Sequence, residues 1–259
     1  MSYPEASTKA GVIHVLGLNL HPVSVNEIHQ FISEVIQHGE KALVLNLNIN
    51  AVNLALKYEW FKQLINQSQL VFCDGDGVRW GMRLLGESIP PKVTYDRWIL
   101  QLSDFCEKEQ YRLFFLGGKP GIAALAAGKL KIKYPKLQIL GVLDGYFQKR
   151  GLENKRIIAE INRQKPDILI VGFGMPLQEK WLSENWQKVD AHIFLTGGAV
   201  FDYVSGRAKR APQWMIQANL EWLFRFIQEP RRLFSHYVFG IPYFFFRIFL
   251  EKMRGNKKR

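Results

Sequence analysis

The residues of this chain whose types and spacing suit chemistry fall at the ends of apolar runs. Leu70–Cys73 is followed by Asp74-Gly75-Asp76-Gly77. Asp-Gly is a strong turn signal, so a tight turn accounts for the segment with no chemistry at all. Two carboxylates one residue apart also suit a hard cation such as Mg2+, which is often held by one or two carboxylates plus nucleotide phosphates. A single carboxylate here also suits a general base that takes a proton from a hydroxyl nucleophile. The residues alone leave these three readings open.

A second candidate follows Asp167–Val171, a continuous apolar run rich in β-branched residues that reads as a strand buried on both faces. It leads into Gly172-Phe173-Gly174-Met175-Pro176-Leu177-Gln178-Glu179. The two glycines permit a sharp turn or a close approach to a ligand, and Pro176 suits a first helical turn. In open α/β sheets ligands sit at this edge, where free N–H groups at a helix start favour phosphate. Gln178 and Glu179 add polar reach toward a sugar or base. A plain strand-to-helix turn would show the same residues.

The loop Gly117-Gly118-Lys119-Pro120-Gly121 is phosphate-friendly, yet Pro follows the lysine where a P-loop needs Ser or Thr, and no Gly-x-Gly-x-x-Gly occurs. Kinase and dehydrogenase readings weaken accordingly. The six histidines have no metal-ligand spacing, and no Gly-x-Ser-x-Gly elbow is present.

The elements that must position these residues alternate along the chain. Val12–Leu16 reads as a first strand. Ser24-Val25-Asn26-Glu27 reads as a capping box opening a helix with Ile28, Phe31, Ile32, Val35 and Ile36 on one face. Ala42–Leu47 is a strand ending in Asn48-Ile49-Asn50, and residues 51–66 look helical. Strands Leu70–Cys73, Arg112–Leu116, Leu137–Val142 and His192–Thr196 follow, with helical stretches up to Tyr134 and over Glu153–Gln164. Such alternation predicts an α/β fold with a mostly parallel sheet. The sequence changes character near Arg207–Pro212, which sets a core over residues 1–206 apart from an appendage over 207–259.

A chain of 259 residues with net charge +12 buries a sizeable core. Its two cysteines, without a framework of spacings, suit a reducing compartment. Residues 1–10 lack the charged-then-apolar order of a signal peptide. Residues 206–259 carry twelve Lys/Arg against three acids, so most of the excess charge lies there. The same tail is aromatic, and basic residues mixed with rings suit an anionic membrane surface. Bulky apolar clusters argue against nucleic acid, whose sites need rings spaced by polar residues. Packing against a second copy is the other reading of that apolar face. The longest apolar piece, Tyr237–Leu250, holds Pro242 and Arg247 and is too short and interrupted to span a bilayer.

Several spaced motifs, in order, resemble one family. They are Asn48-x-Asn50, Cys73-Asp74-Gly75-x-Gly77-Val78, Arg83-Leu84-x-Gly86, Leu116–Gly121, Val171-Gly172-x-Gly174-x-Pro176-x-Gln178-Glu179 and Gly197-Gly198-x-x-Phe201-Asp202. In the tail they are Gly206-x-x-Lys209-Arg210-Ala211-Pro212-x-Trp214, Leu220-Glu221-Trp222-Leu223-x-Arg225 and Glu229-Pro230-x-Arg232. From about residue 11 to 245 the chain resembles the WecG/TagA/CpsF family, glycosyltransferase family 26.

The resemblance implies a Rossmann-like core with a helical, basic and aromatic-rich C-terminal appendage. It implies an inverting, metal-independent transfer of an N-acetylmannosamine-type or related sugar from a UDP donor. The acceptor would be a sugar on undecaprenyl diphosphate, at the cytoplasmic membrane face, in surface polysaccharide or teichoic acid synthesis. No cofactor is implied, the UDP-sugar being a substrate. Asp74 matches the family's proposed base. Asn48, Asn50 and Gln178 match positions near donor or acceptor, with Gly118, Gly172 and Gly174 in the accompanying loops. Lys92 stands where an arginine is frequent, on the side of the leaving diphosphate, and keeps the charge without the bidentate fork. Arg225 and one of Arg231 or Arg232 match arginines thought to reach the diphosphate, where such charge would replace a metal.

Two positions depart from the family pattern. Position 76 is usually not acidic, which keeps a metal-dependent transferase using Asp74 and Asp76 open. Thr94-Tyr95-Asp96-Arg97 departs from the commoner Val-Thr-Gly-x-Asp pattern in the loop after Lys92, which bears on sugar specificity. A non-catalytic module binding a nucleotide-sugar or lipid diphosphate is the competing reading from outside enzymology.

Overall fold

The computed structural model describes residues 11–209, 211–212, 214–215 and 221–256. The first ten residues, Arg210 and Leu220 lie outside it.

The chain opens with a small antiparallel hairpin, β1 (Ile13–Val15) and β2 (Leu18–Leu20). Leu16 and Gly17 turn it with positive φ at both positions, the hand that matches strand twist. Helix α1 (Val25–Gln37) begins at Ser24, where the side chains of Ser24 and Glu27 cap each other's backbone N–H groups. The expected capping box is therefore present.

The main sheet has six parallel strands in the order β4-β3-β8-β7-β5-β6. They are β3 (Ala42–Leu47), β4 (Leu70–Cys73), β5 (Arg112–Gly117), β6 (Gln138–Leu143), β7 (Ile168–Gly172) and β8 (Ile193–Thr196). Between them run α2 (Ile49–Lys57), α3 (Glu59–Gln67), α4 (Asp76–Leu85), α5 (Tyr95–Glu109), α6 (Ile122–Lys133), α7 (Gly151–Gln164), α8 (Leu177–Asn185) and α9 (Val200–Ser205). The single helix expected over 51–66 is two, because Tyr58 leaves the helical region at φ −124°, ψ 115°.

Helices cover both faces of the sheet, which is why its central strands read as unbroken apolar runs. Val44, Leu70, Phe72, Leu113, Phe115, Ile170 and Leu195 share one core with α1, α5 and α6. Leu43, Leu45, Val71, Phe114, Leu169, Val171 and Phe194 share the other with residues of α2, α3, α4 and α8. Successive side chains of each strand thus serve opposite cores.

The appendage is helical as expected: α10 (Glu221–Gln228), α11 (Pro230–Ser235), a π turn over His236–Gly240 and α12 (Ile241–Asn256). Leu233–Arg254 forms a helical run of 22 residues holding an 18-residue stretch with mean hydropathy 1.4, enough by length and composition to cross a membrane. This corrects the sequence expectation of a piece too short to do so. Pro242 sits in the first turn of α12, directly after the π turn, and the helical run continues through it. The run does not stand clear of the core, however. Phe244 and Ile248 are buried in the second core, directly over Gly81 of α4.

Candidate functional site

A cavity of about 1010 Å3 opens at the C-terminal ends of β4, β3, β8 and β7. Parallel strands deliver their following loops to this one edge, as expected for a ligand crevice in an open α/β sheet. Its floor is polar and one wall is apolar. The wall comes from Trp80 on α4 and from Tyr237, Ile241, Pro242 and Phe245 of the C-terminal segment.

Asp74 lies on the floor, one residue past β4, with its N–H donating to the Leu47 carbonyl at 3.0 Å. Its Oδ2 accepts from Asn46 Nδ2 at 2.8 Å and from Asn48 Nδ2 at 3.2 Å. The Asn46 Oδ1 accepts the Thr196 hydroxyl at 2.9 Å. Asn48 is also the N-cap of α2, its Oδ1 accepting from the Ala51 N–H at 3.0 Å. The carboxylate is therefore oriented by two amides, each fixed from behind. Asn46 escaped sequence reasoning; the available signal was one asparagine in an otherwise apolar, buried strand.

Asp76 is built differently. Its Oδ1 accepts from Arg79 at 2.8 Å and its Oδ2 from Lys92. Burial alone would push this carboxyl up, but the hydrogen bonds and charges of Lys92 and Arg79 overcome it and hold the group below its ordinary range. A cation on Asp76 would have to compete with these two cationic side chains. Among the described residues, no group of three His, Cys, Asp or Glu side chains converges as a metal site. Lys92 thus stands at the cavity as a tethered cation.

Asn50 also lines the cavity, its amide against the Met175 sulfur at 3.6 Å. Gln178 lines it too, yet its amide is committed to the protein. The Oε1 accepts from the Gly174 N–H at 3.1 Å and the Gly198 N–H at 3.0 Å, and Nε2 donates to Glu179 Oε1 at 2.7 Å. Gln178 laces the loop after β7 to the loop after β8. Behind it Glu179 is 1% exposed with Oε2 unpartnered, and burial pushes its carboxyl up to about 7.

The glycines divide. Gly174 lines the cavity with φ +84°, a conformation that favours glycine. Gly118 and Gly172 are not among its lining residues. The Gly118 N–H donates to the Gly172 carbonyl at 2.9 Å, and a Cβ on Gly172 would meet the Phe201 ring at 2.8 Å. These two serve close packing between neighbouring loops. Arg231 is exposed on α11, and the side chains of Arg225 and Arg232 lie outside the described residues.

Two thiols and one imidazole are buried in the fold. Cys73 and Cys106 are buried free thiols, and burial pushes the Cys73 thiol up to about 12. His21 Nδ1 accepts the Val71 N–H at 3.0 Å, and burial lowers its pKa.

Residues 13–258 match the model of the glycosyl transferase WecG/TagA/CpsF family. An N-acetylglucosaminyldiphosphoundecaprenol N-acetyl-beta-D-mannosaminyltransferase of Bacillus subtilis is 31% identical over 191 residues, covering 74% of this chain and 73% of the relative. The protein of the same name from Staphylococcus aureus is 25% identical over 267 residues, covering both chains fully.

Proposed function

The chain belongs to the WecG/TagA/CpsF family of glycosyl transferases, and from that premise we propose that it moves an N-acetylmannosamine-type sugar from a UDP donor to a sugar carried on undecaprenyl diphosphate, with inversion and without a metal. The observation that carries this reading is the single oriented carboxylate of Asp74 on the cavity floor, held by Asn46 and Asn48. Asp74 takes the proton of the acceptor hydroxyl as that oxygen attacks the anomeric carbon. The bond from the anomeric carbon to the diphosphate oxygen breaks on the opposite side, and UDP leaves with its electron pair. One displacement gives one inversion. Charge on the departing diphosphate falls to Lys92, with arginines of the appendage as further candidates. Fixed cations of this kind stabilise a leaving group without reorganisation.

The names of the relatives support both substrates, since they specify an acceptor on diphosphoundecaprenol and an N-acetylmannosaminyl group transferred. The product then enters surface polysaccharide or teichoic acid. A lipid-borne acceptor requires the cavity to meet a membrane, and its apolar wall is made by the segment that also exposes Phe239, Phe246 and Phe249. Arg247, Lys252 and Arg254 accompany these rings, so the face suits anionic lipid at the cytoplasmic surface.

The test is UDP release from a panel of UDP-sugars with a short-chain lipid-diphosphate N-acetylglucosamine acceptor, with and without EDTA. Acceptor-dependent release that survives EDTA is expected. Release abolished by EDTA and restored by Mg2+ would overturn the metal-free mechanism, and UDP binding without turnover on any acceptor would overturn catalysis.

A further inference from the structure

Tyr95 is the first residue of α5 and lines the same cavity as Asp74. Its hydroxyl is buried and has no hydrogen-bond partner. A buried polar group left unpaired costs roughly 1–3 kcal/mol, so a fold that keeps one needs a reason. The cheaper residue is obvious, because phenylalanine fills the same ring site.

The position of the ring is over-determined. It packs against Phe72 at 6.1 Å and edge-on to Trp98 at 5.1 Å between centroids. Trp98 is itself anchored, its indole N–H donating to His29 Nε2 at 3.0 Å. Tyr95 therefore cannot swing away to find a partner elsewhere.

What it can reach follows from strand alternation. Leu70 and Phe72 point from β4 into the core shared with α5. Asp74 is two residues further on and leaves the chain on that same side. The preceding segment is tied alongside, with Val93 bridged in parallel to Asp74 and its N–H donating to the Cys73 carbonyl at 3.1 Å. Two residues on, Tyr95 stands over Phe72, on the side of the sheet from which Asp74 projects, and both line the cavity. The burial of its phenol, and then the charge of Asp74, push its ionisation well above the ordinary range, so it is a donor at every relevant pH.

We infer that Tyr95 is a positioning residue for Asp74, its hydroxyl donating to the carboxylate as the acceptor sugar settles into the cavity. The inference rests on Asp74 being the base. Catalytic hydrogen bonds are commonly long in an empty site and tighten in the substrate complex. The amides of Asn46 and Asn48 hold Oδ2 from β3, and Tyr95 supplies a donor from the α5 side. The other titratable or charged groups around the cavity are Cys73, Asp76, Lys92 and Asp96, with Tyr203 and Tyr237 across it and Arg79 behind Asp76. All of these stay in place in Tyr95→Phe.

The experiment compares wild type with Tyr95→Phe in transfer to the short-chain lipid-diphosphate acceptor as a function of pH, alongside the thermal midpoint of each. Loss of a donor that engages the base in the complex should move the acidic limb of kcat, measured at saturating acceptor, to higher pH by about one unit, a tenfold loss at fixed pH on that limb. The KM for the UDP-sugar should not change. The midpoint should stay level or rise, because an unpaired hydroxyl has been removed. Superimposable pH profiles in two active proteins would overturn the role of Tyr95 and leave the functional reading standing. A lowered midpoint would mean that the hydroxyl is paired within the fold, and would overturn it too. A wild type inactive on every acceptor would overturn the functional reading, and Tyr95 would have no base to serve.

Discussion

Asn46 on β3 and Asp74, one residue past the neighbouring β4, meet with Asn46 Nδ2 2.8 Å from Asp74 Oδ2, and the direction of that hydrogen bond is fixed from behind. The Thr196 hydroxyl donates to Asn46 Oδ1 at 2.9 Å, so the amide has its nitrogen turned toward the carboxylate. Three strands, β8, β3 and β4, thereby contribute to one polar row. Asn46 and Thr196 are buried and Asp74 is half-buried on the cavity floor, so the row holds the carboxylate before any substrate arrives. Such preorganisation is what a general base requires, since small misplacements are costly in rate.

Replacing Asp74 by asparagine keeps the shape and removes the proton acceptor. Transfer should fall by about 10²–10⁴, the usual worth of a positioned base. UDP affinity, measured by calorimetry, should stay within a few-fold, because the diphosphate is assigned to Lys92. Retained turnover in Asp74→Asn would remove Asp74 from the mechanism.

The sheet is legible in the sequence because every central strand is buried on both faces, which leaves runs such as Leu43–Leu45 and Ile168–Val171 without polar interruption. The capping box at Ser24 is legible because its chemistry is local. The helix α4 is not, since Gly77 and Gly81 read as breakers. Their reason is tertiary: a Cβ on Gly77 would lie 2.3 Å from Ile49, and one on Gly81 would lie 2.7 Å from Phe244. Within the site, Asp74 is marked by its turn, whereas Asn46 looks like a stray polar residue. The pairing of Asp76 with Lys92 spans a loop and leaves no local pattern. Gly118 and Gly172 resemble a phosphate cradle because close backbone packing and phosphate binding both demand glycine.

Asp76 sets where Lys92 waits. One carboxylate oxygen is held by Arg79, the other by Lys92, so the lysine is tethered at the cavity rather than free in solvent. Lys92→Ala should weaken UDP binding by roughly tenfold or more, the worth of one charge-assisted hydrogen bond, and leave uridine binding unchanged. Asp76→Asn should be milder, since the cation remains. An Asp76→Asn protein that loses a Mg2+-dependent gain in UDP affinity would instead assign Asp76 to a metal.

Glu179 makes stability depend on pH. Burial holds its carboxyl at about 7, above the ordinary 4.5 of a free glutamate, so between those values the folded state binds the extra proton. Stability then falls as pH rises through that window, and the penalty is fully present above about 7. The shift corresponds to ~3 kcal/mol. Glu179→Gln should keep an acceptor for Gln178 and remove the charge. Its thermal midpoint should exceed that of wild type on the alkaline side and vary less across the window. Parallel curves for the two proteins would place the pH dependence elsewhere.

The C-terminal helix must serve two surfaces at once, and its sequence shows how. Phe244 and Ile248, one turn apart, are buried over Gly81, while Phe239, Tyr243, Phe246, Phe249 and Met253 are exposed. One stripe docks the helix and the other faces outward, accompanied by Arg247, Lys252 and Arg254. Two kinds of substitution should therefore separate two functions. Phe244→Ala leaves a cavity over Gly81 and should weaken docking by about 3–5 kcal/mol. Amide exchange over residues 241–256 should accelerate, and because Ile241, Pro242 and Phe245 wall the cavity, transfer should fall with it. Replacing Phe239, Phe246 and Phe249 together by serine should leave exchange and thermal stability nearly unchanged. The triple variant should lose flotation with anionic vesicles, which in wild type should weaken as salt is raised. Its transfer to a water-soluble short-chain acceptor should survive, while transfer to an acceptor embedded in vesicles should drop. Equal loss on both acceptors would mean that the exposed rings act inside the site and not at the membrane.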